Sequence, residues 1–350
     1  MRPAACGRPA PLAHERGVAL LVVLLAIALL TVVVVEFTHS AQVAIHGSLS
    51  ARNALQAHYL ARSGVNLAEA VLMRERLFGG DDTDSEHDLW AQPFPPLPVG
   101  DGTVAVRIRD EARALNLNDM LSVDGERAER IAIFERLFEI LGVERSVLAA
   151  IIDWLDADDE PWPSPPGAEQ SFYLGLTPPV AVRNGPLITL RELLLVRGVT
   201  PRLVAALDGF VTVLPAERSL RVNVNTAPPE VLYALSPRLA GDPGIVDRLL
   251  ATRRDHALTS DGDLRAVPGV PEAWDGPDGL RERVRYGSTY FRIEALGAVD
   301  DTVRGVTAVV RRDGGRLTRA LWTPRIRDDR VLTSQAPSDF LQALPPLGGG

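Results

Sequence analysis

The chain has 350 residues, 23% of them charged, and a formal net charge of −8 at pH 7. All of its basic side chains except histidines are arginines, which excludes a phosphate-binding loop of the Gly-Lys-Ser type. Such an acidic chain is a poor partner for nucleic acid or an anionic membrane surface. The one cysteine, Cys6, lies near the N-terminus, so neither a disulfide nor a cysteine-ligated metal is expected to stabilise the domains that follow.

Residues 18–35 form an apolar run interrupted by one threonine, Thr31. As a helix the run would be about 27 Å long, close to the roughly 30 Å of a bilayer core. Three arginines precede it, Arg2, Arg8 and Arg16. Because positive charge is retained on the cytoplasmic side, we expect one membrane-spanning helix with a cytoplasmic N-terminus.

The processing of this segment depends on where its small residue lies. An ordinary secretory signal has a small-x-small cleavage site after a shorter apolar core, whereas here Gly17 precedes the run. A glycine in that place resembles the processing site of type IV prepilins and pseudopilins, which are cut before the apolar stretch. The resemblance implies a leader over residues 1–17 and cleavage between Gly17 and Val18. An ordinary signal and an uncut anchor are the alternatives.

One continuous helix is predicted from Val18 to about Phe78, because no proline occurs between residues 12 and 92. Beyond the apolar run, small residues recur at spacings of three and four and form a narrow stripe. The stripe consists of Ala54, Ala57, Ala61, Gly64, Ala68 and Leu72. We expect it to pack on the chain's own domain.

Alternating apolar residues predict one early strand, 103–110, and three late strands, 290–297, 303–311 and 317–322. The sequence between them is helical and punctuated by prolines. The pattern therefore predicts one sheet domain, 79–113 with 284–323, interrupted by a helical insertion over 114–283. Residues 81–88 are rich in acids and are expected to form a solvated loop, with a cation site as the alternative. Residues 324–350 are expected to be a disordered tail.

The insertion contains short helices around tight hairpins. Gly198 is predicted to close one helix, and Thr200 and Pro201 to start the next. The segment 222–232 begins a second unit, and 264–270 carries a third hairpin. These resemble helix-hairpin-helix modules, and the Asn-x-Asn-Thr-Ala start is shared with DNA-uptake proteins. A membrane-anchored DNA-binding protein is therefore the alternative function, although the acidic balance favours compact packing units instead.

A dense group of acids follows a predicted helix that ends near Asp156. The candidate ligands are Asp153, Asp156, Asp158, Asp159 and Glu169. Negative charge is unfavourable at a helix C-terminus, so a cation would relieve it. Hard oxygen donors without neighbouring histidine or cysteine suit calcium better than a transition metal. A solvated acidic turn is the alternative.

Patterns typical of catalysis are absent from the sequence. It contains neither Gly-x-Ser-x-Gly nor His-Glu-x-x-His, and its six histidines are scattered. Paired acids can serve a glycosidase, but the aromatic residues that build a sugar cleft are sparse. We expect no enzymatic activity.

In combination these features resemble the K-type minor pseudopilin of the type II secretion system (general secretion pathway protein K). The resemblance covers roughly residues 16–322. The segments that carry it are 16–21, 110–118 (Asp-Glu-Ala-Arg-Ala-Leu-Asn-Leu-Asn), 153–158 (Asp-Trp-Leu-Asp-Ala-Asp), 184–187, 193–200, 222–226 and 291–299. One departure is Gln170, since the family often has an acid after Gly-Ala-Glu.

The resemblance implies an α+β pseudopilin fold, in which a long N-terminal transmembrane helix packs on a small antiparallel sheet, with a large all-α, helix-hairpin-helix-like insertion. It implies calcium in that insertion and cleavage by prepilin peptidase at the inner membrane. The implied partners are the I-type and J-type minor pseudopilins and the major pseudopilin, with no nucleic acid. The expected function is to initiate and cap the periplasmic pseudopilus that drives export of folded proteins across the outer membrane.

Val22 would be the fifth residue of the processed chain, where most pilins and pseudopilins carry glutamate. That glutamate neutralises the N-terminal amine of the subunit added before it, because an isolated charge in hydrocarbon is costly. A subunit that enters first has no predecessor to neutralise. An apolar residue at this position therefore predicts the initiating subunit at the tip.

Overall fold

A computed structural model describes residues 15–78, 82–121, 127–217, 219–276, 278–314 and 316–326. The chain divides into two compact parts, Met1–Gln56 and Ala57–Gly350. Within the described residues the α-helices are α1 (Glu15–Phe78), α2 (Arg127–Ile140), α3 (Arg145–Leu155), α4 (Gln170–Leu174), α5 (Pro201–Leu207), α6 (Pro229–Leu235), α7 (Pro237–Gly241), α8 (Pro243–Asp255) and α9 (Asp261–Arg265). Short 3-10 helices lie at Leu89–Ala91, Leu117–Asp119, Leu190–Leu195, Pro271–Ala273 and Leu280–Glu282.

The strands are β1 (Leu97–Val99), β2 (Gly102–Asp110), β3 (Leu115–Asn116), β4 (Val211–Thr212), β5 (Val222–Asn223), β6 (Val284–Arg285), β7 (Tyr290–Val299), β8 (Thr302–Asp313) and β9 (Arg316–Ile326). Five of them form an antiparallel sheet in the order β1-β2-β7-β8-β9. The four predicted strands are all present in this sheet, and β1 is an addition. The predicted α+β fold class is confirmed.

In the first compact part, α1 carries the apolar run, and the large apolar side chains from Val18 to Val35 are exposed. In the part of the chain that the structure describes, α1 is the one helix long and apolar enough to cross a membrane. The predicted continuous helix up to Phe78 is confirmed. Residues 1–14 of the predicted leader lie outside the described residues.

In the second compact part, α1 packs on the sheet through the predicted stripe of small residues. Ala61, Ala68 and Leu72 are buried there in one cluster with residues of β2, β7 and β8, and Ala57 is buried beside β7. The two elements approach so closely that a Cβ on Gly297 of β7 would overlap the Ala57 carbonyl oxygen. Small side chains in this stripe therefore set the distance between helix and sheet.

Two expectations about loops are wrong. The predicted tail begins at residue 324, but β9 continues to Ile326 because it pairs with β8 as far as Arg304; residues 327–350 lie outside the described residues. The acidic segment 81–88 is not simply solvated, since Asp84 is 2% exposed and pairs with Arg312 of β8. The ion pair with Arg312 thus stabilises Asp84 in the interior.

The helical insertion between β2 and β7 consists of two similar repeats. The first repeat runs from β3 to β4 (115–212), and the second from β5 to β6 (222–285). In each, the opening strand pairs in parallel with the closing one, Leu115 with Val211 and Val222 with Val284. The insertion therefore contains two short strand pairs in addition to its helices.

An Asn-x-Asn motif organises each repeat. In the first, Asn118 accepts the Leu187 N–H (2.8 Å) and donates to the Leu187 carbonyl (3.0 Å). In the second, Asn225 forms the same pair of bonds with Leu258, both of 2.8 Å. We call these two residues the clamp asparagines. Each one closes its repeat by binding the backbone of a distant segment.

The hairpins after the clamped leucines also correspond. Leu187, Leu193, Val196 and Gly198 have the same spacing as Leu258, Leu264, Val267 and Gly269. Both glycines have positive φ, 81° and 94°, which a side chain disfavours. Each glycine lies over the third residue of the preceding long helix, Val147 of α3 or Ile245 of α8. The repeats therefore share both motif and packing.

The Asn-x-Asn-Thr motif of the second repeat also joins the insertion to the sheet. Asp110, the last residue of β2, is buried and accepts hydrogen bonds from Asn223 (3.0 Å) and Thr226 (2.6 Å). Asn223, Asn225 and Thr226 are each at most 3% exposed. This motif is therefore part of a buried junction, which gives no support to its use as a DNA-binding surface.

Candidate metal centre in the first repeat

The two repeats differ in the segment between their long helix and their clamped leucine. In the second repeat only His256 and Ala257 separate α8 from Leu258. In the first, residues 156–186 separate α3 from Leu187. We call this segment the acidic loop. It contains all but one of the predicted metal ligands, and the remaining one, Asp153, lies in the last turn of α3.

The acidic loop brings three of the five predicted ligands together. One oxygen from each of Asp156, Asp158 and Glu169 lies within 4.8 Å of the others. Asp156 is the C-cap of α3, and its backbone N–H donates to the Ile152 carbonyl. Glu169 returns beside it just before α4. The spacing suits a shared cation, because a metal ion contacts ligands that lie a few ångströms apart.

Buried oxygens without partners mark this site. Among the described residues, both carboxylate oxygens of Glu169, Oδ1 of Asp156 and Oδ2 of Asp153 are buried and have no hydrogen-bond partner. Glu169 is 3% exposed and Asp156 is 8% exposed. Buried polar atoms are rarely left unpaired. A bound cation would provide the partner that these oxygens lack.

The pKa values of these carboxyl groups also favour a cation at this site. Burial raises the pKa of Asp153 and of Asp156. Burial, reinforced by the neighbouring aspartates, raises the pKa of Glu169 to about 7. Crowded carboxylates resist ionisation together unless a positive charge lies among them.

The other two predicted ligands, Asp153 and Asp159, do not belong to the group of three. Asp153 accepts the Trp162 N–H at 2.9 Å, and a Cβ on Gly167 would overlap its carboxylate. Asp159 accepts a hydrogen bond from Asn184 at 3.1 Å. Asp153 thus holds the loop against α3, and Asp159 holds its far end.

Asn184 is a candidate ligand that the residue chemistry did not predict. Its side-chain nitrogen donates to the Asp158 carbonyl (3.0 Å) and to Asp159, while its Oδ1 is buried without a partner. Its φ is 46°, a left-handed conformation that asparagine tolerates better than most residues. The Asn184-Gly185-Pro186 turn is the local signal that could have indicated it.

The donor set is composed of oxygens alone. Carboxylate and amide oxygens are the ligands that calcium prefers, and water completes its six to eight positions. Soft metals prefer sulfur or imidazole, neither of which belongs to the group of three. The residues present therefore fit calcium.

A long apolar helix that continues onto an antiparallel sheet, with helical repeats inserted between two strands, defines the protein as a pseudopilin. Family models described as type II secretion system (T2SS), protein K match residues 113–216 and 222–280. These ranges correspond closely to the two repeats.

Curated relatives support the same assignment. The chain is 33% identical to type II secretion system protein K of Pseudomonas aeruginosa, over 71% of this chain and 76% of the relative. It is 30% identical to the Aeromonas hydrophila protein of the same name, over 83% of this chain and 90% of the relative. The chain belongs to the type II secretion system protein K family, which is a family of structural pseudopilins.

A solved structure shares the fold. One chain of the crystal structure of the GspK-GspI-GspJ complex from the enterotoxigenic Escherichia coli type 2 secretion system aligns with a TM-score of 0.60. The alignment covers 81% of this chain and 99% of that chain, at 20% identity. At 20% identity, this similarity shows a shared fold and nothing further.

Proposed function

We propose that this chain is the non-enzymatic minor pseudopilin that initiates and caps the periplasmic pseudopilus of a type II secretion system. The observation that carries the proposal is the place of the insertion. It leaves the sheet after Asp110 and returns at Tyr290, at the end opposite the contact between Gly297 and Ala57. Two repeats at that end would obstruct a subunit stacking beyond it. A shaft subunit has to allow stacking at both ends, whereas a tip subunit does not.

The apolar residue Val22 supports the same position in the fibre. A subunit that enters first has no earlier amine to neutralise, and a glutamate there would be an unpaired anion in hydrocarbon. Immunogold labelling of assembled pseudopili should mark one end only. Label repeating along the shaft would contradict the tip assignment.

Processing is the second part of the proposal. Prepilin peptidase would cut between Gly17 and Val18, and the helix over 18–35 would then anchor the chain in the inner membrane with its N-terminus cytoplasmic. N-terminal sequencing of the mature protein should begin at Val18. A mature N-terminus beyond residue 36 would instead indicate ordinary secretory cleavage.

The proposed partners are an I-type and a J-type minor pseudopilin, with the major pseudopilin following them. The GspK-GspI-GspJ complex, to a chain of which this fold is similar, supports the choice of the first two. Co-purification of the tagged full-length chain with the I-type and J-type subunits of its own system is the test. Failure to recover either subunit at equal expression would contradict the proposed assembly.

Calcium is the last part of the proposal. Asp156, Asp158 and Glu169 would bind the ion, with Asn184 as an uncharged ligand and Asp153 and Asp159 supporting the loop. A bound ion would neutralise oxygens that are otherwise buried and unpaired. Elemental analysis of the full-length protein purified in calcium should find bound calcium. A metal-free result, together with a melting temperature unchanged by a chelator, would contradict it.

A further inference from the structure

Two charged residues beside the acidic loop are unfavourably placed on their own helices. Arg127 is the first residue of α2, where the helix dipole disfavours positive charge. Asp156 is the C-cap of α3, where the dipole disfavours negative charge. The two side chains pair with each other, with Nη2 of Arg127 2.7 Å from Oδ2 of Asp156. The ion pair therefore explains why Arg127 and Asp156 occupy these helix ends, where each charge is unfavourable for its own helix.

The ion pair neutralises only part of the acidic group. It uses Oδ2 of Asp156, while Oδ1 of the same carboxylate is buried without a partner among the described residues. The Arg127 side chain is 41% exposed, whereas Asp156 is 8% exposed. The arginine can move into water at little cost, but the carboxylate cannot.

We propose that Arg127 is a replaceable counter-cation, which neutralises Asp156 in the metal-free protein and opposes calcium binding. The inference rests on the calcium site proposed above. A calcium ion beside Asp156 would lie a few ångströms from the guanidinium, and like charges at such distances repel. Arg127 therefore lowers calcium affinity below what the carboxylates alone would give, while it neutralises Asp156 when no calcium is bound.

The opposite role is also physically reasonable and makes the inference testable. A residue that orients a metal ligand from behind raises metal affinity, and its removal costs 10- to 100-fold. Under that alternative, replacing Arg127 weakens calcium binding. Under the proposal it strengthens binding, by about tenfold for removal of one positive charge near a divalent ion. The sign of the change separates the two.

The test is calorimetric titration of the full-length chain in detergent with calcium, after treatment with a chelator. Arg127→Gln should bind calcium about tenfold more tightly than wild type, and should melt at a lower temperature in chelator. Arg127→Lys, which keeps the charge, should bind like wild type. Arg145→Gln is the matched control, because Arg145 is an exposed arginine at the first position of α3.

Each outcome has a distinct meaning. Tighter binding by Arg127→Gln alone supports the counter-cation role. Unchanged or weaker binding overturns it while leaving the calcium site intact, provided that wild type binds. If wild-type protein binds no calcium at all, the calcium site itself is refuted, and the counter-cation role with it.

Discussion

The two repeats of the insertion have a common scaffold but differ in one segment. Both begin with Asn-x-Asn, both clamp a distant leucine, and both place a positive-φ glycine over their long helix. Only the first contains the acidic loop, where the second has His256 and Ala257. The same scaffold thus forms in the second repeat without an acidic loop, so the loop is an addition to it.

The shared scaffold explains why the first repeat tolerates buried carboxylate oxygens that have no hydrogen-bond partner among the described residues. Asn118 closes its backbone at Leu187, and apolar loop side chains such as Tyr173 pack into the core, so the acids themselves are not needed to hold the repeat together. Buried acids that would destabilise a marginal fold can then be kept for binding a cation. We expect metal binding to stabilise the first repeat and to leave the second nearly unchanged.

The largest effects should come from the clamp asparagines. Asn118→Ala and Asn225→Ala each leave a buried leucine N–H and carbonyl unpaired, at a cost of roughly 2–6 kcal/mol in chelator. Calcium should restore part of the stability lost in Asn118→Ala, because the bound ion would fix the position of the loop that precedes Leu187. Calcium should not restore the stability lost in Asn225→Ala.

Urea denaturation of the full-length chain in detergent, with chelator and with calcium, measures both effects. Ser146→Ala serves as the control, since Ser146 has only a weak hydrogen bond to Glu144 (3.3 Å). Equal restoration of both clamp variants by calcium would show that the ion does not act through the first repeat.

The calcium response itself should be the next largest effect. At a hundredfold excess over its dissociation constant, one calcium ion adds about 2.7 kcal/mol to the free energy of unfolding. Glu169→Gln should abolish this gain, and in chelator it should be at least as stable as wild type because it removes a repelled buried charge. Glu272→Gln, an exposed acid of the second repeat, should match wild type in both conditions. A full calcium gain in Glu169→Gln would exclude Glu169 as a ligand.

The hairpin glycines offer a finer comparison. A Cβ on Gly269 would lie 2.7 Å from Ile245, whereas on Gly198 it would lie 3.2 Å from Val147. Both Ala variants impose an unfavourable φ, so the difference between them reflects overpacking. Gly269→Ala should therefore cost about 1–3 kcal/mol more than Gly198→Ala. Thermal melting in chelator measures the difference, and the reverse order would show that the two hairpins do not pack alike.

The smallest effect concerns pH. Burial raises the pKa of Asp119 to about 6, while the residue after the second clamp asparagine is the neutral Thr226. Because the folded-state pKa of Asp119 lies above its unfolded value, its contribution to stability grows as the pH falls from about 6 towards 4. Stability should gain about 1 kcal/mol from Asp119 between pH 7 and pH 5. Asp119→Asn should lack this gain, and denaturation of both proteins in chelator measures it. Parallel pH profiles would contradict the assignment.

The sheet and the long helix could be predicted from the sequence because their signals are local. Alternation identified β2, β7, β8 and most of β9, and the small-residue stripe identified the packed face of α1. The proximity of the acids was predicted in part: Asp156 and Asp158 lie together at the end of α3 whatever the loop does, whereas Glu169 joins them only because the loop returns to the helix. Asp156, Asp158 and Glu169 do converge.

The remaining features depend on contacts between distant residues. Asp84 is buried by an arginine 228 positions later, which no local pattern indicates. Asn184, near the end of the acidic loop, binds back to the carbonyl of Asp158, 26 positions earlier. The sequence does not indicate the repeat, because the acidic loop separates the matching segments of the first copy and only a few spaced residues correspond.

Hydrogen exchange is the most direct test of the claim that the cation site belongs to the first repeat alone. The full-length chain in detergent would be labelled with saturating calcium and with chelator, and its peptides compared by mass spectrometry. Calcium should slow exchange in peptides covering residues 153–187 and leave those covering 222–285 unchanged. Unchanged exchange in the first repeat, or equal slowing in both repeats, would contradict the claim.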